Sequence, residues 1–66
     1  METLIYAVPG MHCAHCEHAV SEELNAVDGV ETVGVDLETK LVTVVGNDLD
    51  DAKLRAAIDE AGYEAA

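Results

Sequence analysis

The sequence has no tryptophan and no phenylalanine, and its only aromatic residues are Tyr6 and Tyr63. Any core must therefore be assembled from Val, Leu, Ile and Ala. Basic residues are nearly as scarce: Lys40, Lys53 and Arg55 stand against fourteen Asp and Glu, for a formal net charge of -11. Such a surface repels nucleic acid and anionic lipid, which excludes both as partners, and favours cations and basic protein patches instead. An acidic, lysine-poor composition also fits a source that works at high salt, where screening relieves self-repulsion. The apolar run from Leu4 to Val8 is too short for a membrane span or a signal-peptide core, and Glu2 carries the wrong charge to precede one. Two cysteines are too few for a disulfide framework, so the pair is expected to be reduced in a cytoplasmic protein.

With 66 residues the chain is expected to form a single domain over 1–66. A fold this small buries only about 60% of the surface its unfolded chain exposes. No enclosed active-site cavity fits within it, and the expectation is a binding protein rather than an enzyme. Half of the residues are hydrophobic, which is enough for a packed fold and excludes disorder.

The pattern along the chain alternates strand and helix. Leu4–Val8 is a β-prone run closed by Pro9-Gly10. From Cys16 the apolar residues Cys16, Ala19, Val20, Leu24 and Val27 fall on one helical face, with Gly29 as the stop. Val33, Val35 and Leu37 alternate with polar or small residues, Glu38-Thr39-Lys40 makes a turn, and Leu41–Val45 returns as the second strand of a hairpin. Asp48 is the expected N-cap of a second helix with Leu54, Ala57, Ile58 and Ala61 on its inner face and Gly62 at its end. Tyr63–Ala66 then supplies a short last strand. This β-α-β-β-α-β order predicts an α+β, ferredoxin-like sandwich: a four-stranded antiparallel sheet with both helices on one face.

Chemistry concentrates in Gly10-Met11-His12-Cys13-Ala14-His15-Cys16, between the first strand and the first helix. Cysteines at i and i+3 can aim both sulfurs at one ion if the first lies in the loop and the second in the first helical turn. There the unpaired N–H groups and the positive dipole end favour thiolate over thiol. Thiolates are soft ligands that select copper(I), zinc and related ions, and copper(I) is satisfied by two sulfurs where structural zinc wants four ligands. By itself a C-x-x-C pair could equally be half of a zinc site or a redox couple. Of the three histidines, His15 beside Cys16 is the candidate auxiliary ligand. His12 precedes the pair, and His18 falls on the polar side of the helix.

The Gly-Met-x-Cys-x-x-Cys stretch of Gly10, Met11, Cys13 and Cys16, followed by Gly62-Tyr63-Glu64, resembles the heavy-metal-associated domain family of the copper-chaperone type. The resemblance spans essentially the whole chain. It implies that Cys13 and Cys16 hold copper(I), that Met11 tucks into the core rather than binding the ion, and that Tyr63 lies beside the metal. It also implies a copper-transporting P-type ATPase as partner, through that protein's own C-x-x-C domain.

A thiol–disulfide oxidoreductase would usually be built on a larger thioredoxin-type domain, and neither Ala14 nor His15 supplies the proline or aromatic neighbour of such a pair. A third reading is a regulatory metal-binding module of a copper-transporting ATPase; Met1 and the single-domain length favour a free-standing carrier. Zinc or cadmium would be favoured by a carboxylate just before the first cysteine, but His12 stands there. Mercury(II), like copper(I), takes two thiolates. A surface ion held by two sulfurs is open to a third, either from a partner or from a second copy in a copper-bridged homodimer.

Overall fold

The computed structural model describes residues 1–12 and 14–66. Its elements run β1 (Glu2–Ala7), α1 (Ala14–Asn25), β2 (Val30–Asp36), β3 (Leu41–Gly46) and α2 (Asp51–Glu60). The sheet order is β1-β3-β2, with both pairings antiparallel.

Strand alternation decides which face is covered. In β1 Tyr6 is buried, as is Val8 just past its end, while Ile5 is 61% exposed. Register places Leu4 opposite Val44 and Tyr6 opposite Val42, and from the other side Val33 and Val35 meet the same two valines. These residues form one face, and both helices pack against it. From α1 come Val20 and Leu24, and from α2 come Leu54, Ala57 and Ile58, each set spaced for one helical stripe. At about 25 cal/mol per Å² this apolar burial is the main term holding so small a domain together. Among the described residues no helix is long and apolar enough to cross a membrane.

Four expectations change. Helix α1 starts at Ala14 rather than Cys16 and stops at Asn25, so Val27 and Gly29 lie in the connection. Gly29 does have a positive φ of 91°, but the structure needs it for a different contact: a Cβ there would run into the Asn47 carbonyl oxygen. Gly46 meets the same constraint from the other side, because its Cβ would strike the Gly29 carbonyl oxygen. The N-cap of α2 is Asp50, whose carboxylate accepts from Ala52 N at 3.0 Å; Asp48 sits at φ 53° in the turn before it.

The fourth change concerns the sheet, which has three strands among the described residues instead of four. Gly62 and Tyr63 are used in capping α2, and only Glu64–Ala66 remain to pair. Val8 N donates to Lys40 O at 2.8 Å, so the adjacent Ala7 carbonyl faces the opposite edge of β1 and accepts from Ala66 N at 2.7 Å. One such bond fastens the tail but does not make a strand.

A polar clasp joins β1 to α2. Tyr6 Oη donates to Asp51 Oδ1 at 2.7 Å, and Arg55 Nε donates to Asp51 Oδ2 at 3.1 Å, with the guanidinium carbon 5.3 Å from the Tyr6 ring centre. Burial first, and then the hydrogen bond to the Asp51 carboxylate, push the Tyr6 phenol up to about 12, while that same bond pulls Asp51 below its ordinary 3.8. A raised phenol stabilises the fold below about pH 10 and loses that contribution as pH climbs through 12. The lowered carboxylate contributes above its ordinary value and loses its share as pH falls below it. Tyr6→Phe should therefore cost about 1 kcal/mol near neutrality, the usual net worth of one hydrogen bond. In urea unfolding, the gap between parent and variant should close above pH 10 and again below pH 3.8; a gap that stayed constant would contradict the clasp.

Candidate metal site

The loop that leads to the cysteines is fixed before it reaches them. Met11 N donates to Val8 O at 3.2 Å, closing a turn with Pro9 at its second position, where a locked φ is preorganised. Immediately after the turn the Met11 side chain is fully buried in the core cluster with Tyr6, Val8, Leu54 and Ile58. Met11 thus anchors the loop to the core. His12 and His15 are both exposed, and His18 is exposed with Nε2 3.4 Å from Glu22 Oε1.

Cys16 stands in the first turn of α1 and is half-buried against the core. Its orientation follows from spacing. Cys16, Val20 and Leu24 are each four residues apart, so the cysteine heads the stripe whose lower members are fully buried. Cys16 therefore sits at the N-terminal end of α1, the positive end of the helix dipole. Cys13, the other expected ligand, lies outside the described residues. Among those described, no three His, Cys, Asp or Glu side chains gather as a metal-holding group. The described part of the chain thus contains no closed cage of its own.

Tyr63 reaches the loop from the far end of the chain. Gly62 N donates to Asp59 O at 2.9 Å and Tyr63 N donates to Ile58 O at 3.2 Å. With Ala61 as C-cap and Gly62 at φ 93°, these two bonds are a Schellman motif, which puts the residue after the glycine back over the helix end. The ring consequently lies on the Pro9-Gly10 turn: a Cβ on Gly10 would sit 3.4 Å from Tyr63 Cδ1. Gly62-Tyr63 is therefore a helix stop that delivers an aromatic ring to the loop. An open groove of about 490 Å³ runs alongside, lined by Pro9, Gly10, Asp59, Gly62, Tyr63 and Glu64.

One contact had no signal in the sequence. Lys40 Nζ, from the turn between β2 and β3, donates to the Met11 carbonyl across a separation of 29 residues.

Known proteins match this arrangement. The heavy-metal-associated domain model matches residues 5–64, nearly the full chain. The chain belongs to the heavy-metal-associated domain family. A curated relative is the copper chaperone CopZ of Staphylococcus saprophyticus, 42% identical over 69 residues and covering 97% of each chain. A solved structure described as the CopZ metallochaperone superposes with a TM-score of 0.94 at 36% identity, covering 98% of this chain and 100% of the other. Human copper-transporting ATPase 2 matches at 35% identity over 65 residues, which is 96% of this chain but 4% of the ATPase. The heavy-metal-associated fold thus occurs both as a small protein and as part of a large transporter.

The Schellman geometry makes Gly62 testable. A Cβ there meets nothing within 4 Å, so any substitution cost is conformational rather than steric. Gly62→Ala should lower stability by about 1 kcal/mol and Gly62→Asn by less, since Asn tolerates left-handed backbone. Thermal melts of the three proteins should rank Gly above Asn above Ala. If Ala matched Gly, Gly62 would not be held in that conformation.

Proposed function

We propose that this chain is a cytoplasmic copper chaperone that holds one copper(I) ion between Cys13 and Cys16 and passes it to a copper-transporting P-type ATPase. The observation that carries the reading is Cys16 at the head of the buried stripe of α1, three residues after Cys13. The chain leading into α1 is anchored by Met11, in a domain 42% identical to a copper chaperone over nearly its whole length. Two thiolates suit copper(I), which accepts linear two-sulfur coordination. Met11 is fully buried, which favours an anchoring role over ligation. His15 is the auxiliary donor if a third is recruited, and Tyr63 flanks the loop without entering the donor set.

Transfer follows from two-coordination at the surface. A thiolate of the receiving domain adds to the ion, one bond to Cys13 or Cys16 breaks, and a second exchange completes the handover with no free copper. The partner assignment draws on the match to human copper-transporting ATPase 2, which indicates that domains of this family occur in such transporters. Like domains can then exchange the ion through like sites. The same match supports a second reading, in which this domain is itself the metal-binding module of a transporter.

Cys13→Ser and Cys16→Ser should each abolish tight copper(I) retention against a chromophoric copper(I) chelator, leaving the far-ultraviolet circular dichroism unchanged. If either variant competed as the parent does, the two-thiolate site would be wrong. Disulfide-reductase turnover by the parent, with weak copper retention, would instead place the pair in redox chemistry.

A further inference from the structure

We infer that Lys40 is a positioning residue for the metal loop: its ammonium, brought from the β2–β3 turn, clamps the Met11 carbonyl and holds the path of the chain into the cysteines. The consequence for copper rests on the chaperone reading above; the clamp itself rests on geometry alone.

Lys40 grips the loop at two points. Its carbonyl accepts from Val8 N at 2.8 Å, and its Nζ donates to Met11 O; Val8 O in turn accepts from Met11 N at 3.2 Å. Both ends of the Val8–Met11 turn are therefore bonded to one residue of a different hairpin. Met11 is held twice over, by its fully buried side chain on one side and by its carbonyl on the other. Met11 lies two residues before Cys13 in the sequence, and Lys40 holds its carbonyl.

Two features set Lys40 apart from an ordinary surface lysine. Its φ is 63°, in the left-handed region where Gly or Asn is the usual occupant, so the position is conformationally costly for a lysine. The turn keeps it there: Asp36 Oδ1 accepts from Glu38 N at 2.9 Å and from Thr39 N at 3.3 Å, leaving Lys40 to make the final reversal into β3. The second feature is its choice of partner. The chain has fourteen carboxylates, yet among the described residues none pairs with Lys40, whose ammonium goes to a main-chain carbonyl. Lys40 is half-buried, whereas Lys53 is exposed. A neutral residue at this position would leave the Met11 carbonyl without this donor. An ammonium also places a positive charge on a loop that must carry two thiolates, whose complex with copper(I) has a net charge of -1.

The test compares Lys40→Met, Lys40→Gly and Lys40→Arg. Gly relieves the backbone conformation while deleting the ammonium, so it separates the clamp from the turn geometry and guards against a variant that simply fails to fold. The primary readout is amide hydrogen exchange over residues 11–16 in the reduced, metal-free protein, measured by NMR. Loss of a hydrogen bond from a charged, partly buried donor should speed exchange there by about fivefold in both Met and Gly variants, with the Val42 and Val44 amides of β3 unchanged. Arg should restore much of the protection. In the copper-loaded protein, Met and Gly variants should release the ion to a chelator about threefold faster than the parent, in keeping with a loosened loop. Parent-like loop exchange in the Met and Gly variants would overturn the clamp, as would fast exchange in Met with parent-like exchange in Gly, which would assign the effect to backbone conformation. A parent that released copper as fast as Cys16→Ser would overturn the chaperone reading instead, and the metal-free exchange data would still decide the role of Lys40.

Discussion

Burial of the Met11 side chain links the stability of the domain to the shape of its metal loop. The residue is counted with Tyr6, Val8, Leu54 and Ile58 in the core, yet its backbone belongs to the segment that carries the cysteines. Lifting the loop would pull a large side chain out of a packed interior, and removing a buried methionine typically costs about 2–5 kcal/mol. In a domain with no Phe or Trp, few other residues fill comparable volume. The loop therefore cannot lift at Met11 without loosening the fold.

Three features set that anchored loop, two of them from distant parts of the chain. The turn at Pro9 delivers it from β1, the Schellman motif at Gly62 lays Tyr63 against Gly10, and the hairpin contributes Lys40. Each contact uses a feature with a local backbone cause: a locked φ, a glycine at positive φ, and a left-handed lysine. Cys16 is oriented differently, by the inward stripe it shares with Val20 and Leu24. On the proposed copper-chaperone reading, an anchored Met11 and a helix-borne Cys16 suit a carrier that must hold its ion yet leave one side of it open to an incoming thiolate.

Much of this was legible in the sequence, and the reasons differ by element. The alternation around Val33, Val35, Val42 and Val44 and the inner faces of both helices are direct consequences of burying one face, so period alone reveals them. The spacing that puts Cys16 on the inner stripe of α1 is visible for the same reason. The N-cap of α2 is Asp50 rather than the expected Asp48, because both are good cap residues and only the left-handed backbone at Asp48 distinguishes them. The expected fourth strand is reduced to a single bond, because the capping of α2 takes two of its residues, a tertiary cost that propensity does not register. The clamp from Lys40 joins positions 29 apart through a side chain and a carbonyl, and no periodicity encodes such a contact.

The central claim is that a single copper(I) ion is bound by the two thiolates of one reduced chain. Native mass spectrometry of the protein, reconstituted anaerobically with copper(I) alongside zinc(II) and mercury(II), tests metal, stoichiometry and protonation at once. The account predicts one copper per chain with the loss of two protons, retained when zinc is present in excess. Preferential zinc retention, or a copper adduct formed without the loss of both thiol protons, would contradict it.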